Sequence, residues 1–173
     1  MATQGFLARV AGKTKQIIAT VVSAGAVDAG KIGALGADGR WDMSTMPLGI
    51  GASTTLATAS EAIGAGKFVN FWNDGGTFSM RLADNSNGRQ ADGYVIEAVS
   101  SAAVGTAYPL DGANAQLTGL TVGSRYWLGT AGGVTDTPLD ETDAGNANKV
   151  SQYLGVAKSA TELVTDDQGY VVL

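Results

Sequence analysis

Five kinds of residue pattern have the types needed for chemistry, and each is tested first by its spacing. Gly12-Lys13-Thr14 has the ending of a phosphate-cradling loop, in which backbone N–H groups and a lysine hold a nucleotide. The earlier glycine that such a loop requires falls on Leu7, and Ile17-Ile18 reads as a strand rather than the start of a helix. Asp84-Asn85-Ser86-Asn87-Gly88 opens like a calcium loop, but the position for a bidentate glutamate is Val95. A turn explains those residues better, because Asn, Asp and Gly all accept left-handed backbone. Asp136, Asp140, Glu141 and Asp143 read as a solvated acidic loop. A serine nucleophile would have to use lysine as its base, since the chain has no histidine, and no Ser-x-x-Lys spacing occurs. The carboxylate pairs Asp38/Asp42 and Asp92/Glu97 have nothing beside them that reads as a site. The expectation is a chain that is not an enzyme, with no catalytic residue, no cofactor and no metal.

Composition points the same way. At 173 residues with 45% apolar content, the chain is long enough to bury a real core. Its 25 glycines are roughly twice the usual frequency, and they lie among short β-type runs, which indicates many tight turns. No cysteine is present, so neither disulfides nor a thiolate metal site is possible. The net charge of −5 argues against binding a nucleic-acid backbone. That charge is uneven. The first forty residues hold Arg9, Lys13, Lys15, Lys31 and Arg40 against Asp28 and Asp38, whereas the end from Thr130 is strongly acidic. No stretch is long and apolar enough to span a bilayer, so no membrane role is expected. Lys13 and Lys15 ahead of Ile17–Val22, with Ala24-Gly25-Ala26 beyond, have the outline of an export leader. The Val, Ile and Thr content of that run fits a strand better.

An internal repeat organises the elements. Ala26-Val27-Asp28-Ala29-Gly30-Lys31-Ile32, with Asp38-Gly39 beyond, recurs thirty-six positions on as Ala62-Ile63-Gly64-Ala65-Gly66-Lys67-Phe68 with Asp74-Gly75. A weaker third copy starts at Gly123 and carries Tyr126-Trp127-Leu128 and Gly132-Gly133. Each unit reads as a strand, a hairpin turn that tolerates positive φ, and a returning strand: Arg40–Ser44, Thr77–Leu82 and Val134–Thr137. Further strands are expected at Gly93–Val99, Val150–Ala157, 162–164 and 170–173. The pairs Tyr94/Tyr153 and Ala98/Ala157 relate the first two of these, and one short helix is expected near Ser60–Ile63. Trp41, Trp72 and Trp127 are expected to pack in the core, since an exposed indole would instead mark an interface or a sugar platform. The fold class is all-β, a small β-barrel or sandwich built from repeated β-hairpin units with an extended N-terminal arm. The expected divisions are an arm and first strand over 1–24, a first hairpin unit over 25–60 and the main barrel or sandwich domain over 61–173.

The series Ala65–Gly76, Gly93–Ala98, Leu117–Gly123 and Tyr153–Ala157 resembles the capsid decoration (cement) and head-fibre proteins of tailed bacteriophages. The resemblance runs from Ala62 to the end of the chain. It implies a virion structural protein that decorates and stabilises the outside of a phage capsid by binding the major capsid protein lattice, as a homotrimer. Its location would then be the virion, on the capsid surface. In that setting the basic N-terminal segment is an arm over a capsid protein or a neighbouring subunit, with Arg9, Lys13 and Lys15 as the contact candidates. The alternative is a phage tail, baseplate or exported surface β-domain that binds glycan.

Overall fold

The computed structural model describes residues 5–46 and 53–173. Residues 1–4 of the expected arm and 47–52 of the expected first hairpin unit lie outside the described residues. The chain forms two compact units, Met1–Ala52 and Ser53–Leu173.

Among the described residues of the first unit is one hairpin, β1 (Gly5–Val10) and β2 (Lys13–Ile18), paired antiparallel from Gly5↔Ile18 to Val10↔Lys13. Beyond it, Asp28–Lys31 closes a turn through Lys31 N–H to Asp28 C=O, with Gly30 at φ 80. The expected hairpin across Asp38-Gly39 is absent. Residues 43–45 form a short 3-10 turn instead of a returning strand. The backbone of Ile32 and Ala34 is taken by Thr20, whose N–H donates to Ile32 and whose carbonyl accepts from Ala34.

The second unit opens with β3 (Thr55–Ala59), β4 (Phe68–Asp74), β5 (Thr77–Leu82), β6 (Gly93–Tyr94) and β7 (Val104–Ala107). Their order is β6-β4-β5-β3-β7, with β3 and β5 parallel. Tyr94 and Tyr108 exchange both backbone hydrogen bonds, at 2.9 and 2.8 Å, so the end of β7 returns to β6 and the sheet closes into a small barrel. The all-β expectation of a small barrel made from hairpins therefore holds. The Asn73-Asp74-Gly75-Gly76 turn joins β4 to β5 as its residue types require.

The remaining strands are β8 (Ala113–Asn114), β9 (Arg125–Leu128), β10 (Val134–Thr135), β11 (Val150–Ala157), β12 (Leu163–Thr165) and β13 (Tyr170–Val172). Five of them lie in the order β10-β9-β11-β12-β8, and β13 adds to the first half of β11. This order repeats that of the barrel strand for strand, β3 to β7 corresponding to β8 to β12. The equivalence is local as well. Gly64–Lys67 and Thr121–Ser124 close the same turn, with Gly66 at φ 76 and Gly123 at φ 79. Phe68↔Tyr94 and Val69↔Gly93 then match Arg125↔Val156 and Tyr126↔Gly155. Gly93-Tyr94 thus corresponds to Gly155-Val156, three positions beyond the Tyr94/Tyr153 pairing read from the sequence. β11 also carries a one-residue register shift between Tyr153 and Gly155. One difference separates the halves: the first closes through the parallel β3–β5 pair, and the second stays open.

Parity along the strands makes two cores. Ala57, Ala59, Ile63, Val69, Met80, Val95 and Ala107 fill the barrel. Phe68, Tyr94 and Leu110 pack outward against Tyr126, Leu128, Val150, Leu154 and Leu163 of the second sheet. The Gly93–Val99 run shortens to two strand residues, and 60–63 is not helical but leads to the Ile63↔Val99 bridge. Buried amides join the halves. Gln152 donates to the Ala91 carbonyl at 2.8 Å and accepts the Ala91 N–H at 2.7 Å. Asn114, fully buried, donates to Gly66 C=O at 2.8 Å and accepts from Gln116 N–H at 3.1 Å. Asn114→Ala is expected to cost about 2 kcal/mol in urea unfolding, because the Gly66 carbonyl is left buried without a donor. No helix among the described residues is long and apolar enough to cross a membrane.

Candidate assembly surface

The hairpin that carries Arg9, Lys13 and Lys15 is built on a two-residue loop, Ala11 at φ 52 and Gly12 at φ 76. Two positive φ values in succession give the turn whose twist matches flanking strands. Gly12-Lys13-Thr14 is therefore the corner of a hairpin and the start of β2, with no phosphate cradle. Period-two alternation distributes the side chains. Phe6, Ala8, Val10, Lys13, Lys15 and Ile17 share one face, and Leu7, Arg9, Thr14, Gln16 and Ile18 share the other. The structure thus brings Lys13 and Lys15 together beside an apolar row and puts Arg9 on the opposite side.

Burial separates the two units. No described residue of the first unit is buried. Leu7 is 73% exposed, Val27 76%, Val22 61% and Ile18 55%. The first unit holds five basic and three acidic side chains, and the second holds six and thirteen. The hairpin itself carries three positive charges and no carboxylate. Such a surface is apolar and basic at once, with Leu7, Ile18, Val22 and Val27 left largely in solvent.

The other sequence candidates have structural roles. Asp84 caps the 3-10 turn Asn85–Asn87 and accepts from Ser86 N–H, Ser86 O–H and, across the unit, Ala131 N–H at 2.9 Å. The neighbouring Asn85 donates to Leu128 C=O. The calcium-like segment is in fact the clasp that holds the β9–β10 turn to the barrel. Burial pushes the Asp84 carboxyl up, but the Ser86 hydroxyl, the Ala131 and Ser86 N–H groups and the Arg89 charge outweigh it and hold it below 3.8. With the folded value depressed, its stabilisation is complete above the ordinary aspartate range and is lost as pH falls through the folded value. Asp84→Asn is expected to cost about 1 kcal/mol at neutral pH and to remove part of the acid dependence below pH 3.8. Thermal melts from neutral pH downward check both.

Asp140 and Asp143 spend oxygens on the N–H groups of Thr142 and Gly145. Asp92 accepts from Asn70, Phe71 N–H and Gln90 rather than facing a cleft with Glu97. Among the described residues no cluster of His, Cys, Asp or Glu has the arrangement of a metal site. The indoles depart from the core expectation. Trp72 lies under the Arg81 guanidinium at 4.5 Å, Trp127 meets Tyr153 edge-on at 5.9 Å, and Trp41 is 49% exposed. Trp127 is out of phase with the buried Tyr126 and Leu128, whereas Trp72 shares the face of the buried Phe68 and Asn70 but lies beyond them, where β4 runs out towards its turn. Sequence reasoning missed the apolar side chains that flank the lysines on the hairpin. Their signal was the alternation in Phe6, Ala8 and Val10.

No family model matches the chain. No curated protein matches it. Among solved structures it is similar to the N base of head fiber gp8.5 in bacteriophage phi29, with 15% identity over 67% of this chain and 95% of that one, at a TM-score of 0.43. A likeness of that size carries no argument about role.

Proposed function

We propose that this chain is a non-catalytic structural protein of a phage virion, which decorates the capsid exterior by binding the major capsid protein lattice as a homotrimer. The observation that carries an assembly role is the first unit, which buries none of its described side chains. Ordering a chain segment costs about 1–2 kcal/mol per residue in backbone entropy alone, and this segment recovers none of that in a core. A partner surface that covers Phe6, Val10 and Ile17 and offers carboxylates to Lys13 and Lys15 supplies the missing contacts. The second unit has two cores and joins them with buried amides, so it serves as the body that the hairpin tethers. The resemblance of the Ala65–Gly76 and Leu117–Gly123 motifs to decoration and head-fibre proteins supports the capsid as the partner. Repetition across a lattice then makes weak individual contacts sufficient.

The test is a density gradient of source material probed for this protein. Co-migration with DNA-filled heads, in proportion to the capsid protein, is the expected result. A few copies per particle would move the protein to the tail. A soluble species at the top of the gradient would end the capsid reading.

A further inference from the structure

Within the first unit, the Thr20–Gly33 bridge lays Gly33 against the Cζ3 edge of the Trp41 indole. A Cβ built on Gly33 would stand 2.5 Å from Cζ3 of Trp41. That seat fixes the ring as one wall of a pocket of about 220 Å³, whose remaining lining is polar: Thr20, Ser23, Thr45, Asp28 and Lys31. Lys31 donates to Asp28 Oδ1, and Ala24 N–H donates to Asp28 Oδ2. The pair, which lines the cavity, retains two ammonium protons and further carboxylate lone pairs outside these bonds. Ser23 Oγ accepts from Gly25 N–H and keeps its own proton to donate.

This combination selects a ligand class. An anion would meet Asp28 and a cation would meet Lys31, so the paired charges favour a neutral ligand. Vicinal hydroxyls can accept from Lys31 and donate to Asp28 at the same time. The indole face requires an apolar C–H surface opposite it. A pyranose ring has both, with hydroxyls on its rim and C–H groups on one face. We propose that this pocket binds the terminal sugar of a neutral glycan, with the ring stacked on Trp41 and its hydroxyls shared between Asp28 and Lys31. The inference does not rest on the capsid reading, because the pocket lies wholly within residues 20–45.

The experiment is saturation-transfer NMR on the full chain with the methyl pyranosides of glucose, galactose, mannose and N-acetylglucosamine. Two variants accompany it, Trp41→Ala and Gly33→Ala, the second displacing the indole without removing a polar group. Hairpin amide shifts verify that the unit keeps its structure in both. Saturable binding of at least one glycoside that weakens about tenfold or more in both variants is the expected result. Transfer to none of the four, or binding that survives in either variant with the hairpin shifts intact, overturns the proposal.

Discussion

Gly155→Ala is expected to destabilise the second unit by about 4 kcal/mol, combining backbone strain with overpacking. Gly155 sits at φ +148, where L side chains are rare, and a Cβ there would lie 2.0 Å from the Val164 carbonyl oxygen. The obstacle is backbone, so no rotamer change relieves it. Val164 is paired in register with Val156, and moving it would part β11 from β12. The position is also where the register between β11 and β9 shifts, so three strands share the cost. Urea unfolding should show a lower midpoint with an unchanged slope. Gly119→Ala is the control: its φ is +74 but its Cβ would meet nothing within 4 Å, so about 1 kcal/mol is expected. Equal losses in the two variants would show that the Val164 contact is unimportant. Gly93, the barrel's counterpart of Gly155, stands in the same relation to the Tyr108 carbonyl at 2.6 Å. The close approach is therefore a property of the duplicated fold.

The second large effect concerns assembly. The double variant Lys13→Glu/Lys15→Glu is expected to lower apparent affinity for capsids on the order of a hundredfold, with no change in the melting of the second unit. Both charges leave the same face of the hairpin and are replaced by charges that repel an acidic partner. Arg9→Glu alters the opposite face, so a smaller loss is expected. Raising the salt concentration should weaken the wild type towards the variant, because exposed pairs are screened. Cosedimentation with heads measures the loss, and calorimetry of the same preparations checks the fold. Capsid binding by the double variant at wild-type strength would remove the hairpin from the interface. Full binding by residues 53–173 alone would place the contact on the second unit.

Turn chemistry was the most legible part of the fold. Asn73-Asp74-Gly75-Gly76 and Gly132-Gly133 reverse the chain where their residue types say they should. The same Ala-Gly-Lys turn recurs at Gly30, yet no hairpin follows it. There the backbone of Ile32 and Ala34 is taken by Thr20 instead of by a returning strand. The strands β3 and β7 were illegible for a related reason. Thr55-Leu56-Ala57-Thr58-Ala59 and Val104-Gly105-Thr106-Ala107 put Ala and Gly, which have weak β-propensity, at their buried positions. They are strands because a narrow barrel needs small inward positions. A Cβ on Gly105 would stand 2.6 Å from both Met80 and Val99. Trp127 was misplaced because alternation states that two faces exist, and only packing states which is buried; Trp72 lies on a buried face but past the point where the packing ends.

Residue types alone therefore determined the all-β class, the hairpin corners, the recurrence of the Gly-turn unit and the uneven charge. These follow from φ preferences and period-two patterning within a few residues. Tertiary structure decided that the repeat becomes one closed barrel and one open sheet, that Asp84 is a clasp, that Lys13 and Lys15 face away from Arg9, and that Trp41 walls a pocket. The facing of Lys13 and Lys15 follows from the register of one local hairpin, but the others depend on contacts between residues far apart in the chain, such as Ala131 with Asp84 or Thr58 with Ser79. Local preference cannot specify them, because the same strand can bury either face until its neighbours are in place.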